Sequence, residues 1–187
     1  GATTTVSSCA TCNPVNTTSK YNAVLPFKAY LKGTADIVPY SDKQMTSPKG
    51  EIWATDECTI TAVYSNGACE VKYLAGSETK TAYTPLSNFV GNTSASLAQQ
   101  TVNRQVKTYI RSSTGSTQYG HTDPGDVIYR LGTSGSMTQI FYPTGSGYKL
   151  AWVVTGELVE PTYDNRFNPY CPIKGFPCAT ATFDVYE

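Results

Sequence analysis

His121 is the only histidine in the chain and stands in "YGHTDPGD", so any mechanism that pairs a serine or cysteine with an imidazole must use it. Its surroundings are polar and turn-rich, which suits a solvated loop residue. No Gly-x-Ser-x-Gly elbow occurs and no cysteine stands in a recognisable nucleophile context. Paired carboxylates could serve glycoside cleavage, but Glu51, Glu157 and Glu160 lie near turns, where solvation is the simpler role. The glycine-rich turns "GTSGS" and "PTGSG" lack the Gly-Lys-Ser/Thr that lets a phosphate loop open a helix. The expectation is a non-enzyme without a cofactor.

Six cysteines are the other reactive groups: Cys9, Cys12, Cys58, Cys69, Cys171 and Cys178. Cys58 and Cys69 bracket an Asn66-Gly67 turn and share parity with the core candidates Ile60 and Val71. A bridge between them is the preferred reading, with buried free thiols as the alternative, because disulfide geometry is strict. The pairs "CATCNP" and "CPIKGFPC" allow local bridges, crossed bridges between the two tails, or a four-thiolate zinc site. The wide second spacing favours disulfides, which would stabilise the tails by restricting the unfolded chain. No metal site is expected.

The even cysteine count in a Thr/Asn-rich chain points to export, to a secreted or cell-surface location. The opening Gly-Ala-Thr could follow removal of a leader or a tag. Fourteen basic and fourteen acidic residues cancel, and the charged fraction of 15% is low. A nucleic-acid or anionic-membrane partner is therefore not expected, since phosphates need a basic surface. No apolar run approaches the roughly 18 residues of a membrane span.

The elements that must position these groups are short strands of period two, split by turn residues. "CTITAVY", "CEVKY" and "TKTAYTPL" form one series, and "DVIYRL", "MTQIFY" and "YKLAWVV" form another. Sliding 56–90 onto 125–159, an offset of 69 without gaps, aligns Tyr73 with Tyr142, Gly76 with Gly145, Lys80 with Lys149 and Ala82 with Ala151. Upstream, "FKAYLKG" matches "VKTYIRS" at an offset of 79, pairing Tyr30 with Tyr109 and Tyr40 with Tyr119. That change implies about ten extra residues, "SDKQMTSPKGEIW", as a longer loop in the first copy. The reading is an all-β protein of two tandem small barrels, 25–90 and 104–160. A connector, 91–103, contains the only helical candidate, 94–102. Cysteine-containing extensions, 1–24 and 161–187, flank the pair.

"SNG", an apolar strand, a Gly/Ser turn and then "KTAYTPLSNFV", together with "YPTGSGYKLAWV" in the second copy, resemble the bacterial SH3-like modules of secreted and cell-wall-associated proteins. Ala82 and Ala151 replace a customary glycine. The resemblance covers about two thirds of the chain. It implies tandem SH3-like barrels and a non-catalytic targeting role, with peptidoglycan or another wall polymer as ligand. A protein-interaction or spacer module without glycan binding is the alternative. Fourteen tyrosines and two tryptophans supply stacking surface. Tyr40 and Tyr119, beside turn residues, are the main ligand-binding candidates, with Trp53 and His121 as further ones. Two copies would raise avidity if both reach the polymer.

Overall fold

The computed structural model describes residues 20–158, together with the backbone of two later strands, Cys171–Ile173 and Phe176–Cys178. The chain is all-β, as expected, in a sheet that is not closed. The Asn66-Gly67 pair makes its turn because Gly67 takes φ +86°, while the Asn66 side-chain oxygen accepts from the Ala68 N–H at 3.1 Å. Around it fold β2 (Cys58–Val63) and β3 (Ala68–Ala75), and a second turn leads into β4 (Glu78–Pro85). β4 runs into a single 3-10 turn, Leu86–Asn88. β1 (Phe27–Ala29) precedes them and pairs antiparallel with β2.

The second half repeats this order. β5 (Ala98–Thr101) pairs antiparallel with β8 (Val127–Ser134), as β1 does with β2. β6 (Lys107–Tyr109) and β7 (Gln118–His121) form a hairpin between them. β9 (Met137–Thr144), β10 (Gly147–Val154) and a 3-10 turn, Thr155–Leu158, complete the unit. Every partner pair of β3 with β4, from Ala68↔Pro85 to Ala75↔Glu78, recurs 69 residues later between β9 and β10. Tyr73 and Tyr142 thus occupy equivalent places in two like units.

The upstream match at an offset of 79 is corrected. Tyr40 bridges to Tyr83, and Tyr109 pairs with Trp152, so Tyr40 and Tyr109 are equivalent at the same 69-residue spacing. The first unit has a hairpin there too, closed by Ile37↔Ile52 and Tyr40↔Pro48. "SDKQMTSPKGEIW" is thus part of that hairpin and not an insertion. The misleading likeness came from "FKAY", which is β1. Its counterpart is the polar "AQQT" of β5, a strand in the segment read as connector and, in 94–102, as a helical candidate. Exposed on an edge, β5 has no apolar alternation to betray it.

β1 joins the units. It pairs with β2 on one side and runs parallel to β10 on the other, at Phe27↔Tyr148 and Lys28↔Lys149. The strand order is β4-β3-β2-β1-β10-β9-β8-β5. Phe141 and Leu150 of the second unit belong to the first unit's core, with Phe27, Tyr21 and Ile60. A second, smaller cluster holds Ile128, Ile140, Tyr142 and Val153. Gln139, fully buried, donates to the Phe89 carbonyl at 2.9 Å and accepts from the Gly91 N–H at 2.8 Å. Arg111 donates to the carbonyls of Gly33 (3.0 Å) and Ala54 (2.7 Å). Lys72, Thr79 and Thr81 stand on β3 and β4 where the second unit has Phe141, Tyr148 and Leu150. That exposed polar face on a sheet edge discourages a further unit from adding.

Candidate functional site

A concavity of about 690 Å³ lies on the first unit between the tip of its 37–52 hairpin, the β2–β3 turn and the 3-10 turn. Tyr64, Met45, Pro85 and Leu86 line it, with Tyr21 and Lys20 from the preceding segment. Its shape is set locally. Asp42 accepts from the N–H groups of Thr46 (3.0 Å) and Ser47 (2.9 Å), which curls the hairpin tip. The Thr46 hydroxyl, first, and these amides hold the Asp42 carboxyl below its ordinary range. Met45 takes φ +59°, an uncommon conformation for a side-chain-bearing residue, in this curl. Asn66 donates to the Lys43 carbonyl at 2.9 Å and ties the tip to the β2–β3 turn.

Tyr64 is half-buried, with the Lys43 ammonium 5.3 Å from its ring centre and the Tyr83 ring 6.1 Å away. The Tyr83 hydroxyl donates to Glu70 at 3.1 Å, and Glu70 also accepts from Thr61 at 2.6 Å. Burial, then the Glu70 carboxylate, pushes the Tyr83 hydroxyl up to about 12. That chain of bonds braces the aromatic pair from beneath. At the floor Tyr21 is buried, and its hydroxyl has no partner among the described residues. The groove offers aromatic and apolar faces with one lysine on its rim and no acid–base pair. It can stack against and enclose a ligand.

The sequence-predicted residues are scattered. Tyr40 lies in a separate pocket of about 380 Å³, with Lys49, Tyr73 and Lys80. Tyr119 is not a free binding surface but part of the junction between the units. Its ring meets Tyr30 edge-on at 5.2 Å, its hydroxyl bonds the Glu57 carboxylate, and Lys149 stands 4.4 Å over its face. Burial and that bond raise its hydroxyl far above the ordinary range. His121 lines a hollow of about 450 Å³ with Lys107, Tyr109 and Glu157. Its Nδ1 lies 3.0 Å from the Thr122 carbonyl and 3.3 Å from Asp123. Trp53 is 54% exposed and donates only to its neighbour Glu51, at 3.0 Å.

Cys58 and Cys69 are free thiols in the core, which corrects the preferred bridge. The hairpin register sets Cys69 across from Val63, five residues along β2 from Cys58. That spacing exceeds the roughly 7 Å that a disulfide spans. Cys9 and Cys12 lie outside the described residues. The backbone register of β11 (Cys171–Ile173) and β12 (Phe176–Cys178) sets position 171 across from 178. Among the described residues no group of three or more His, Cys, Asp or Glu could hold a metal. No helix there is long and apolar enough to cross a membrane.

Tyr64, the aromatic at the heart of the groove, was missed from sequence. The signal was present, since it directly precedes "SNG" and so must stand at a hairpin rim. Its counterpart in the second unit is Thr133, in a smaller, polar pocket of about 400 Å³. The two units therefore do not offer two equal aromatic sites, and avidity from duplication is not built into these surfaces. Comparisons with protein-family models, with curated proteins and with solved structures return no match.

Proposed function

We propose that the chain is a non-catalytic binding module of the cell surface, two SH3-like units fixed as one body, that holds a cell-wall polymer in the Tyr64 groove. The observation that carries this reading is the groove itself: the Tyr64 and Tyr21 rings beside Pro85 and Leu86, with a single lysine as its only charged lining residue. Such a surface suits sugar rings or the stem of a wall peptide. The doubled order of strand, hairpin, three-stranded meander and 3-10 turn supports the SH3-like reading, as do the motifs around Tyr73 and Tyr142. Cosedimentation with purified peptidoglycan sacculi tests it. The protein should pellet at ordinary salt, and Tyr64→Ala should abolish most of the pelleting while His121→Ala leaves it intact. Absence of pelleting would reject the wall ligand.

A spacer role is the second reading, favoured by one observation. Gln139, Arg111 and the β1–β10 pairing lock the units at a fixed relation, as a rigid spacer needs. It predicts a well-folded protein that fails to pellet with sacculi under any salt condition.

A further inference from the structure

The pocket beside Tyr40 has a counterpart in the second unit that is filled, and comparing the two shows what the open one lacks. A methyl group added at Gly50 would stand 3.0 Å from the Tyr73 hydroxyl, and one at Gly120 would stand 2.7 Å from the Tyr142 hydroxyl. These two glycines are therefore equivalent, each letting a hairpin strand pass close over a tyrosine tip. Their neighbours Lys49 and Tyr119 are equivalent in turn, and so are Lys80 and Lys149.

In the second unit both tyrosine hydroxyls at this place are bonded. Thr108 donates to the Tyr142 hydroxyl at 3.0 Å. Lys149 stands over the Tyr119 ring, and the Tyr119 hydroxyl is taken by the carboxylate of Glu57, brought in from the first unit. In the first unit Pro39 replaces Thr108 and offers no hydroxyl. Tyr73 lines the pocket, and its hydroxyl, which keeps contact with solvent, makes no hydrogen bond to the described residues. Lys49 replaces the aromatic ring, so two ammonium groups, those of Lys49 and Lys80, border one space of about 380 Å³. Neither has an ion-pair partner among the described residues, and no carboxylate lines the pocket.

Donors without an acceptor define the missing group. Two ammoniums and a hydroxyl suit an acceptor-only anion, and in the second unit the residue at the Lys49 position, Tyr119, donates to a carboxylate. We propose that the Tyr73 pocket binds a ligand carboxylate between Lys49, Lys80 and the Tyr73 hydroxyl. This does not depend on the wall-polymer reading, because small anions suffice to test it.

The probe is sodium acetate, titrated at constant ionic strength into isotopically labelled protein while backbone amide signals are followed by NMR, with sodium chloride as baseline and sodium phosphate as a second arm. Acetate should shift the amides of Lys49, Gly50, Lys80 and Thr81 saturably, and chloride should not. Lys80→Met and Lys49→Met should each weaken acetate binding about tenfold, the worth of one charged hydrogen bond. Tyr73→Phe should weaken it about threefold, and Lys20→Met, in the other groove, should change nothing. Shifts that never saturate, that match chloride, or that survive both lysine variants would overturn the proposal. Saturation by phosphate but not acetate would overturn the carboxylate assignment.

Discussion

Phe141 offers the sharpest test of the claim that the two units are one body. It sits on β9 of the second unit, fully buried, with its ring edge-on to Phe27 at 4.7 Å and to Tyr21 at 6.1 Å, both of the first. Phe141→Ala removes those faces and leaves a cavity across the junction, a change that costs about 3–5 kcal/mol in a buried core. For a chain of this size, 1 kcal/mol lowers Tm by roughly 2–4 °C, so the drop should be about 6–20 °C. The internal control is Lys72, which holds the same place in the first unit but is exposed and bonded only to Thr81. Lys72→Ala should cost no more than about 0.5 kcal/mol. Scanning calorimetry should show one transition in the parent chain, moved down whole by Phe141→Ala and barely by Lys72→Ala. Two separate transitions, with only one of them sensitive to Phe141, would refute the shared core.

Gln139→Leu should destabilise by about 2–4 kcal/mol, measured by urea unfolding, because it strands the Phe89 carbonyl and the Gly91 N–H in a buried place. The two core thiols predict alkaline sensitivity. Burial first, then the carboxylates of Asp56 and Glu57, pushes the Cys58 thiol up to about 12, and burial raises Cys69 as well. Between the ordinary thiol value and these raised ones the unfolded chain has lost protons that the native chain keeps. Unfolding free energy should therefore fall as pH rises above about 9, by up to about 1.4 kcal/mol per pH unit for each thiol. Cys58→Ala should flatten that slope in a pH series of urea melts. A thiol reagent at pH 8 should label neither Cys58 nor Cys69 until denaturant is added, as peptide mapping would show. His121→Ala should shift stability by less than about 0.5 kcal/mol, since its contacts are exposed or local.

The fold was largely legible where pattern and turn chemistry are local. β3, β4, β9 and β10 announce themselves by alternation and by turn glycines, and their 69-residue spacing is visible without coordinates. The hairpin of the first unit was hidden because "KQMTSP" carries no strand pattern and a chance likeness in "FKAY" drew the alignment ten residues off. The site was less legible. Tyr40 and Tyr119 looked alike as tyrosines beside turns, yet one lines an open pocket and the other is clamped by Glu57, Lys149 and Tyr30. Nothing in the flanking residues of either distinguishes them, because the clamp comes from another part of the chain.

The sequence by itself determined an all-β chain, made twice from one strand pattern, because side-chain alternation and the φ > 0 demand of turn glycines act within a few residues. Only the tertiary structure decided that β1 lies between β2 and β10, that Phe141 completes the first unit's core, and that Lys49 and Lys80 face one another's pocket without an acid. Those outcomes depend on which surfaces meet after folding. Two equivalent positions with like sequences, Tyr73 and Tyr142, therefore end with one hydroxyl bonded and the other without a partner among the described residues.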